Sequence, residues 1–158
     1  MPKFSAGLLL YRVSRDGGVE CLLVHPGGPF WVARDEHAWS IPKGEYEEGE
    51  DPYLAARREF QEEIGTPPPD GPPYDLGEVR QGSGKRVRAW AVEAGTFVLE
   101  EISSNEFELE WPPRSGQIKQ FPEVDRAEWV AEPRVRALLV KGQLPLVDRL
   151  VSWLASPH

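Results

Sequence analysis

The sequence predicts a mixed α/β domain. Short runs of apolar, β-prone residues bounded by turn residues recur along the chain, which is the pattern of a β-sheet. One amphipathic helix is expected at 52–64, and two further helical segments close the chain. The 158 residues are 40% hydrophobic, enough apolar material for one core. We therefore expect a single domain over residues 1–158.

The N-terminal part of the chain is predicted to form a β-hairpin. Residues 6–13 and 19–25 are apolar, β-prone runs, and the polar, glycine-containing stretch 15–18 between them suits a turn. Residues 26–29, Pro-Gly-Gly-Pro, end the second strand and open a long loop. A short strand at 39–41 then leads towards the helix.

The rest of the chain combines further strands with two closing helices. Residues 66–73 contain five prolines and are expected to form a stiff connector. The other predicted elements are strands at 76–79 and 87–98 around a turn at 81–84, a structured excursion with some strand character at 102–116, a strand at 126–130, and helices at 134–140 and 146–155. Periodicity alone supports no finer class than mixed α and β.

The central helix has clear limits in the sequence. Asp51 is a good N-cap, Pro52 suits the first helical position because its missing N–H has no partner there, and Gly65 is a typical C-terminal cap. Apolar residues recur at spacings of three, four and four, at Tyr53, Ala56, Phe60 and Ile64. This is the helical period, so one face of the helix is predicted to pack on a core.

Three glutamates share another face of this helix. Glu59, Glu62 and Glu63 are related as i, i+3 and i+4 and lie within an arc of about 100°. Like charges at this spacing destabilise a helix by roughly a few tenths of a kcal/mol per pair, and Arg58 alone does not balance three anions. A solvated charged face is one interpretation of such a run. The other is a site for a hard divalent cation, Mg²⁺ above all, which prefers oxygen ligands.

The wider spacing around the helix is more specific. Gly44 is followed after five residues by Glu50, and after seven more by Arg-Glu-Phe-Gln-Glu-Glu-Ile-Gly-Thr at 58–66. This segment, 44–66, resembles the Nudix box of MutT-like Nudix hydrolases, in which a glycine, a glutamate and the motif Arg-Glu-aliphatic-x-Glu-Glu-x-Gly-aliphatic recur at the same spacing. Phe60 and Thr66 stand where aliphatic residues are usual, and every glycine and charged position matches.

The resemblance implies both a fold and a reaction. The fold would be an α/β/α sandwich with a mixed central β-sheet. The reaction would be Mg²⁺-dependent hydrolysis, with Mn²⁺ as the other candidate cation, of the pyrophosphate linkage of a nucleoside diphosphate derivative. By position, the resemblance assigns metal binding to Gly44 through its carbonyl and to Glu50, Glu59, Glu62 and Glu63. The residues it implies for catalysis are Arg58, which would orient a glutamate, and Glu59, Glu62, Glu63 and Glu123.

Glu123 is included among the implied catalytic residues because of its position in the sequence. Similar proteins often carry a further acidic residue a few positions before a tryptophan-containing strand, and Glu123 precedes Trp129 at that distance. The resemblance would make it an additional metal ligand or the general base. A plain loop glutamate is the alternative, and Glu106, Glu108 and Asp125 are rivals for the role.

Basic and aromatic residues outside the box are candidate substrate contacts. The residues predicted to bind substrate phosphates are Lys43, Lys85, Arg86 and Arg88. Strand alternation would place Arg86 and Arg88 on one face, although a solvated strand explains them too. The candidate base-stacking platforms are Trp31, Trp39, Trp90 and Trp111, for each of which core packing is the alternative.

The substrate stays open between several nucleotides. Residues 39–44 and 49–51 resemble the entry to the box in asymmetric diadenosine tetraphosphate hydrolases and inositol pyrophosphate hydrolases, but a tyrosine expected downstream in many of the former is missing at 81–83. Hydrolysis of nucleoside or deoxynucleoside triphosphates is therefore close behind, and ADP-ribose or another sugar nucleotide is third. A different class is a catalytically silent Nudix-like domain that binds a nucleotide for regulation.

Composition limits the partners. The net charge of −8 and pI near 5.0 argue against binding of a nucleic-acid polymer, and favour a small nucleotide whose charge a metal neutralises. The single cysteine, Cys21, can form no internal disulfide, which favours the cytoplasm. No apolar run approaches the length of a membrane span. Monomer and homodimer remain open.

Overall fold

Eight strands and three α-helices make up the part of the chain, residues 3–156, that this computed structural model describes. The strands are β1 (Phe4–Val13), β2 (Val19–Pro26), β3 (Lys43–Glu45), β4 (Tyr74–Arg80), β5 (Arg86–Glu93), β6 (Glu106–Glu110), β7 (Ile118–Pro122) and β8 (Val124–Ala131). The helices are α1 (Pro52–Ile64), α2 (Glu132–Leu138) and α3 (Leu144–Ala155). The first two and last two residues of the predicted domain lie outside the described range.

The central sheet is mixed. Its strand order is β4-β5-β1-β2-β8, and β3 pairs with β1 beside this path. β1 and β5 run parallel, from Phe4 opposite Arg86 to Tyr11 opposite Glu93. The other pairs in this sheet are antiparallel. β6 and β7 form a separate two-stranded hairpin.

Helices cover both faces of the central sheet. On one face α1 buries Ala55, Ala56, Phe60 and Ile64 in a cluster with Leu8, Leu10, Leu22 and Val92. On the other face α2 and α3 bury Val135, Leu138, Leu146, Val147 and Leu150 in a cluster with Leu9, Leu23, Val87 and Ala89. The implied α/β/α sandwich with a mixed central sheet is therefore confirmed. None of these helices is both long enough and apolar enough to span a bilayer.

Several predicted boundaries differ from the structure. The strand expected at 87–98 ends at Glu93, because β1 offers its last partner there and the chain then turns through Gly95, whose φ is +59°. The excursion at 102–116 contains only the first strand of a hairpin, and its partner, β7, was not predicted. In place of the strand expected at 39–41, Trp39 and Ser40 each make an isolated bridge, to Leu139 and Val24. The two closing helices each begin two residues earlier than predicted, with a proline in the first turn.

The start of α1 offers a direct test of helix capping. The Asp51 carboxylate accepts hydrogen bonds from the amides of Tyr53 at 2.9 Å and Leu54 at 3.1 Å. We expect Asp51→Ala to lower the free energy of unfolding by about 1 kcal/mol, measured by urea denaturation, because two amides lose their acceptor. Asp51→Asn keeps an equivalent cap and is the matched control. Equal losses in both variants would contradict the capping role.

Candidate active site

The loop that opens the box meets the box helix at Gly44. β3 pairs with β1, with Gly44 opposite Ala6, and α1 packs against β3. A Cβ atom on Gly44 would overlap the carboxylate of Glu59. Glycine at this position therefore lets the Glu59 carboxylate lie directly against the backbone of β3.

Arg58 connects three of the box carboxylates. Its guanidinium pairs with Glu50, with Glu59 at 3.0 Å and with Glu62 at 3.7 Å. Glu50 also accepts a hydrogen bond from the amide of Glu47 at 3.3 Å. These contacts go to glutamates of the box, which is consistent with the orienting role predicted for Arg58.

Glu63 lines a cavity of about 320 Å³. One of its carboxylate oxygens accepts a hydrogen bond from the amide of Lys43 at 3.4 Å. Lys43, Glu63 and Glu123 all line this cavity. The structure thus brings residues from β3, α1 and the turn between β7 and β8 around one space.

Burial dominates the electrostatics of these groups. It raises the pKa of Glu63 to about 8, against the opposing effect of Lys43, and the neighbouring Glu59 and Glu123 add to the rise. Burial likewise raises the pKa of Glu59, although Arg58 lowers it, and the pKa of Glu123, to which Glu62 adds. Burial and the proximity of Lys85 lower the pKa of Lys43. In the protein without a bound cation, burial therefore disfavours the charged forms of these carboxyl groups and of Lys43.

The donor chemistry of this cluster fits a hard divalent cation. Among residues 3–156, no three or more His, Cys, Asp or Glu side chains are arranged so that they could hold a metal ion. Arg58 pairs with Glu59 and Glu62, and Glu63 accepts a hydrogen bond from the amide of Lys43. The carboxylates are nevertheless close enough to raise one another's pKa values. Carboxylate oxygens are the ligands that Mg²⁺ prefers, and a bound cation would favour the ionised form of these carboxyl groups.

The cavity walls combine four predicted site residues, Trp31, Lys43, Glu63 and Glu123, with others that the sequence does not mark. The others are Val24, Pro26, Ala38, Ser40, Gln81, Val124, Val140 and Gln143. The wall thus combines an aromatic ring, small apolar groups and two amides. Such a mixture is typical of a small-molecule site.

Gln143 holds one wall of the cavity together. Its side chain is fully buried, accepts a hydrogen bond from the amide of Ile41 at 3.0 Å and donates to Ser40 Oγ and to Gln81, both at 2.9 Å. Gln81 belongs to the region in which the expected tyrosine is missing. No local pattern marks Gln143, because its partners are distant in sequence.

The rivals of Glu123 occupy other places. The carboxylate of Asp125 hydrogen-bonds His25 Nδ1 at 2.8 Å, and His25 Nε2 donates to the carbonyl of Arg34 at 2.6 Å. Glu106 and Glu108 are exposed on β6. Glu123 is thus the acidic residue of this region that lines the cavity with Glu63.

The predicted phosphate-binding residues fall into two groups. Lys43 lines the cavity, and Lys85 is near enough to affect its pKa. Arg86 and Arg88 share one face of β5, as alternation predicted, and pair with Glu78 at 3.4 Å and Asp75 at 2.9 Å. Their guanidinium groups are therefore already paired, and a role in substrate binding stays a prediction.

The tryptophans also separate by position. Trp31 lines the cavity and is 39% exposed, with the Arg34 guanidinium 5.8 Å from the centroid of its ring. Trp39 and Trp90 are buried in the two cores. Trp111 packs edge-on against Phe30, with ring centroids 5.3 Å apart. Trp31 is accordingly the candidate stacking platform that the geometry favours.

The fold and the box together define the class of this protein. A family model of the NUDIX domain matches residues 2–150, and the chain belongs to the Nudix family. Its relatives include an RNA pyrophosphohydrolase of Rhodospirillum rubrum, 32% identical over 98% of this chain and 93% of that protein. Another, the RNA pyrophosphohydrolase of Nitrobacter winogradskyi, is 27% identical over 87% of this chain and 88% of that protein. The protein is a Nudix pyrophosphohydrolase.

Solved structures agree on the fold. The C. elegans Ap4A hydrolase, in a binary complex, superposes with a TM-score of 0.64. The match covers 97% of this chain and 98% of that one at 21% identity. A MutT protein from Methanosarcina mazei superposes with a TM-score of 0.58 at 18% identity. These likenesses support the same α/β/α architecture.

The raised pKa of Glu63 predicts how stability depends on pH. Because the pKa is raised from 4.5 to about 8 on folding, the unfolded chain ionises first and stability falls as pH rises between these values. We expect Glu63→Gln to weaken this decline, and to stabilise the protein in EDTA by on the order of 2 kcal/mol near pH 8. Urea denaturation at a series of pH values measures the effect. Parallel pH profiles for the two proteins would contradict it.

Proposed function

We propose that the protein is a Mg²⁺-dependent pyrophosphohydrolase acting on the 5′-polyphosphate chain of a nucleotide, either a nucleoside triphosphate or a dinucleoside polyphosphate. The observation that carries the proposal is the cavity, whose lining includes Trp31, Lys43, Glu63 and Glu123. An aromatic ring stacks on a base, a lysine binds phosphate, and carboxylates hold a cation. These are the groups that hydrolysis of a nucleoside polyphosphate requires.

In this proposal, the residues of the site have the following roles. The oxygen donors for the cation are Glu59, Glu62, Glu63, Glu50 and the Gly44 carbonyl. When bound, Mg²⁺ would neutralise the pyrophosphate oxygens and lower the pKa of the attacking water. Lys43 binds phosphate oxygens at the cavity wall. Glu63 or Glu123, both of which line the cavity, accepts the proton of the water as its oxygen attacks phosphorus and the bridging P–O bond breaks.

A second candidate substrate is the triphosphorylated 5′ end of an RNA. Two relatives that align over most of this chain are named RNA pyrophosphohydrolases. The net charge of −8 disfavours extended contact with an RNA backbone. Binding of the 5′ end alone needs only the cavity and its surroundings, so this candidate is compatible with the charge.

A substrate panel with product identification tests the proposal. The purified protein is incubated with Mg²⁺ and, in turn, nucleoside triphosphates, diadenosine tetraphosphate, ADP-ribose and a short 5′-triphosphorylated RNA, and products are resolved by chromatography. We expect pyrophosphate-bond cleavage with at least one of the first two, and none in EDTA. Cleavage confined to the RNA would select the second candidate. Nucleotide binding without cleavage of any substrate would indicate a silent regulatory domain and overturn the proposal.

The cellular location follows from the same proposal. Nucleoside polyphosphates are present in the cytoplasm. Cys21, the single cysteine, is buried and forms no disulfide. We therefore place the protein in the cytoplasm. Fractionation of cells that express the tagged protein measures this directly.

A further inference from the structure

Residues 103–105, here called the strap, connect the box helix to the turn that carries Glu123. The strap leads into β6 and belongs to the excursion 102–116, whose role the sequence left open. Its hydrogen bonds run in two directions, to the C-terminal end of α1 and to the start of β8.

The first end of the strap is fixed to α1. The amide of Ser103 donates to the carbonyl of Ile64 at 3.0 Å, and the amide of Asn105 donates to the carbonyl of Glu62 at 3.1 Å. Gly65 makes this approach possible, since its φ is +91° and a Cβ there would lie 2.8 Å from the carbonyl oxygen of Ser103. The last glycine of the box therefore ends the helix and also admits the strap.

The second end of the strap is fixed to the turn before β8. The amide of Glu123 donates to the carbonyl of Asn105 at 2.8 Å. The amide of Val124 donates to Ser104 Oγ at 3.2 Å. The hydroxyl has one hydrogen to donate and two carbonyl acceptors within reach, that of Asn105 at 3.0 Å and that of Val124 at 3.1 Å. Ser104 is the residue of the strap whose side chain makes these bonds. Val124 is 4% exposed, so its amide has little access to water as a substitute.

The consequence is a short connection between two parts of the candidate site. The strap is hydrogen-bonded on one side to the carbonyls of Glu62 and Ile64, and on the other side to Glu123 and Val124. The side chains of Glu63 and Glu123 meet at the same cavity. We propose that Ser104 is a positioning residue that fixes the Glu123 carboxylate relative to the glutamates of α1.

This inference rests on the proposed function and on the place of Glu123 in it. Ser104 does not line the cavity, so it acts through the backbone of residues 123 and 124. Misplacement of a reacting group by a fraction of an ångström slows the reaction without weakening substrate binding at the opposite wall. The expected signature is a change in kcat with KM preserved.

The test compares three substitutions in the strap, using the best nucleotide of the panel. Ser104→Ala is expected to lower kcat by about tenfold with KM within about twofold. Ser104→Thr keeps the hydroxyl at a position that borders a surface pocket, and is expected to retain kcat. Ser103→Ala is the matched control, since Ser103 bonds α1 through its backbone amide, and is expected to match the unmodified protein.

A second readout needs neither metal nor activity. In EDTA, amide hydrogen exchange at Val124 should be faster in Ser104→Ala and unchanged in Ser104→Thr. In a Glu123→Gln background, Ser104→Ala should produce no further loss of kcat, because its effect passes through Glu123. If Ser104→Ala does not fold, Ser104→Cys, with its weaker donor, replaces it in each comparison.

Three outcomes would overturn the inference. One is an unchanged kcat in a variant whose Val124 amide exchanges faster. Another is that Ser104→Ala lowers kcat by the same factor in the Glu123→Gln background as in the protein with Glu123. The third is that Ser104→Ala raises KM and leaves kcat unchanged. If the unmodified protein cleaves no nucleotide, the proposed function fails instead, and the exchange data still report whether Ser104 fixes the turn.

Discussion

Glu63→Gln is expected to lower kcat for nucleotide hydrolysis by about 10³-fold, because it removes a carboxylate that the proposal uses both to hold the cation and to accept a proton. Glu63 lines the cavity, and burial raises its pKa to about 8. Glutamine has nearly the same shape but carries no charge and is a poor proton acceptor. Steady-state kinetics with saturating Mg²⁺ measures the loss.

A matched control separates this loss from a general effect of charge removal. Glu48 is an exposed glutamate in the loop before α1, with no contact to the cavity. Glu48→Gln changes the net charge equally and is expected to keep kcat within about twofold. Unchanged hydrolysis by Glu63→Gln would falsify the assignment of catalysis to this cluster, although it would leave the family membership intact.

The same variant connects activity with stability. Without a cation, the mutual repulsion and burial of Glu59, Glu63 and Glu123 destabilise the folded state at neutral pH. The proposal thus expects Glu63→Gln to be less active and, in EDTA, more stable. Lower activity together with higher stability is typical of a site whose charged groups are arranged for a ligand at a cost in stability. A cluster with a purely structural role would lose stability on mutation.

Local rules explain why the box was predictable. The cap at Asp51, the stop at Gly65 and the spacing of the glutamates depend on residues within a few turns of one helix. The fixed spacing of glycine and charged residues predicts the family, since a motif along the chain depends on no tertiary contact. Gly44 required the structure for its explanation, because the group it makes room for, the Glu59 carboxylate, comes from the next element.

Long-range contacts explain why the substrate side was not predictable. Gln143 bonds Gln81 and Ser40, which are 62 and 103 residues away in sequence. The sequence does not distinguish Trp31 from the buried tryptophans, since tryptophan serves both as a stacking platform and as a core residue. The strap was hidden for the same reason, because most of its bonds use backbone atoms that any sequence possesses.

Gly44→Ala is expected to lower kcat by about 10²-fold while the protein still folds. The added Cβ would occupy the position of the Glu59 carboxylate, which is the mobile end of a side chain and can move aside. The carboxylate is then displaced from β3 and from its contact with Arg58, and a displacement of about 1 Å in a catalytic group has an effect of this size. Kinetics together with thermal unfolding measures both quantities.

Two comparisons make the Gly44 result specific. Gly82→Ala adds a Cβ where no other atom lies within 4 Å, and should leave kcat within about twofold of the unmodified protein. In a Glu59→Ala background the collision is absent, so Gly44→Ala should cost little further activity. If Gly44→Ala lowered kcat equally in both backgrounds, the loss would come from the β3 backbone itself. Glycine would then be required there for the carbonyl that the box presents, and the Glu59 carboxylate would have no part in that requirement.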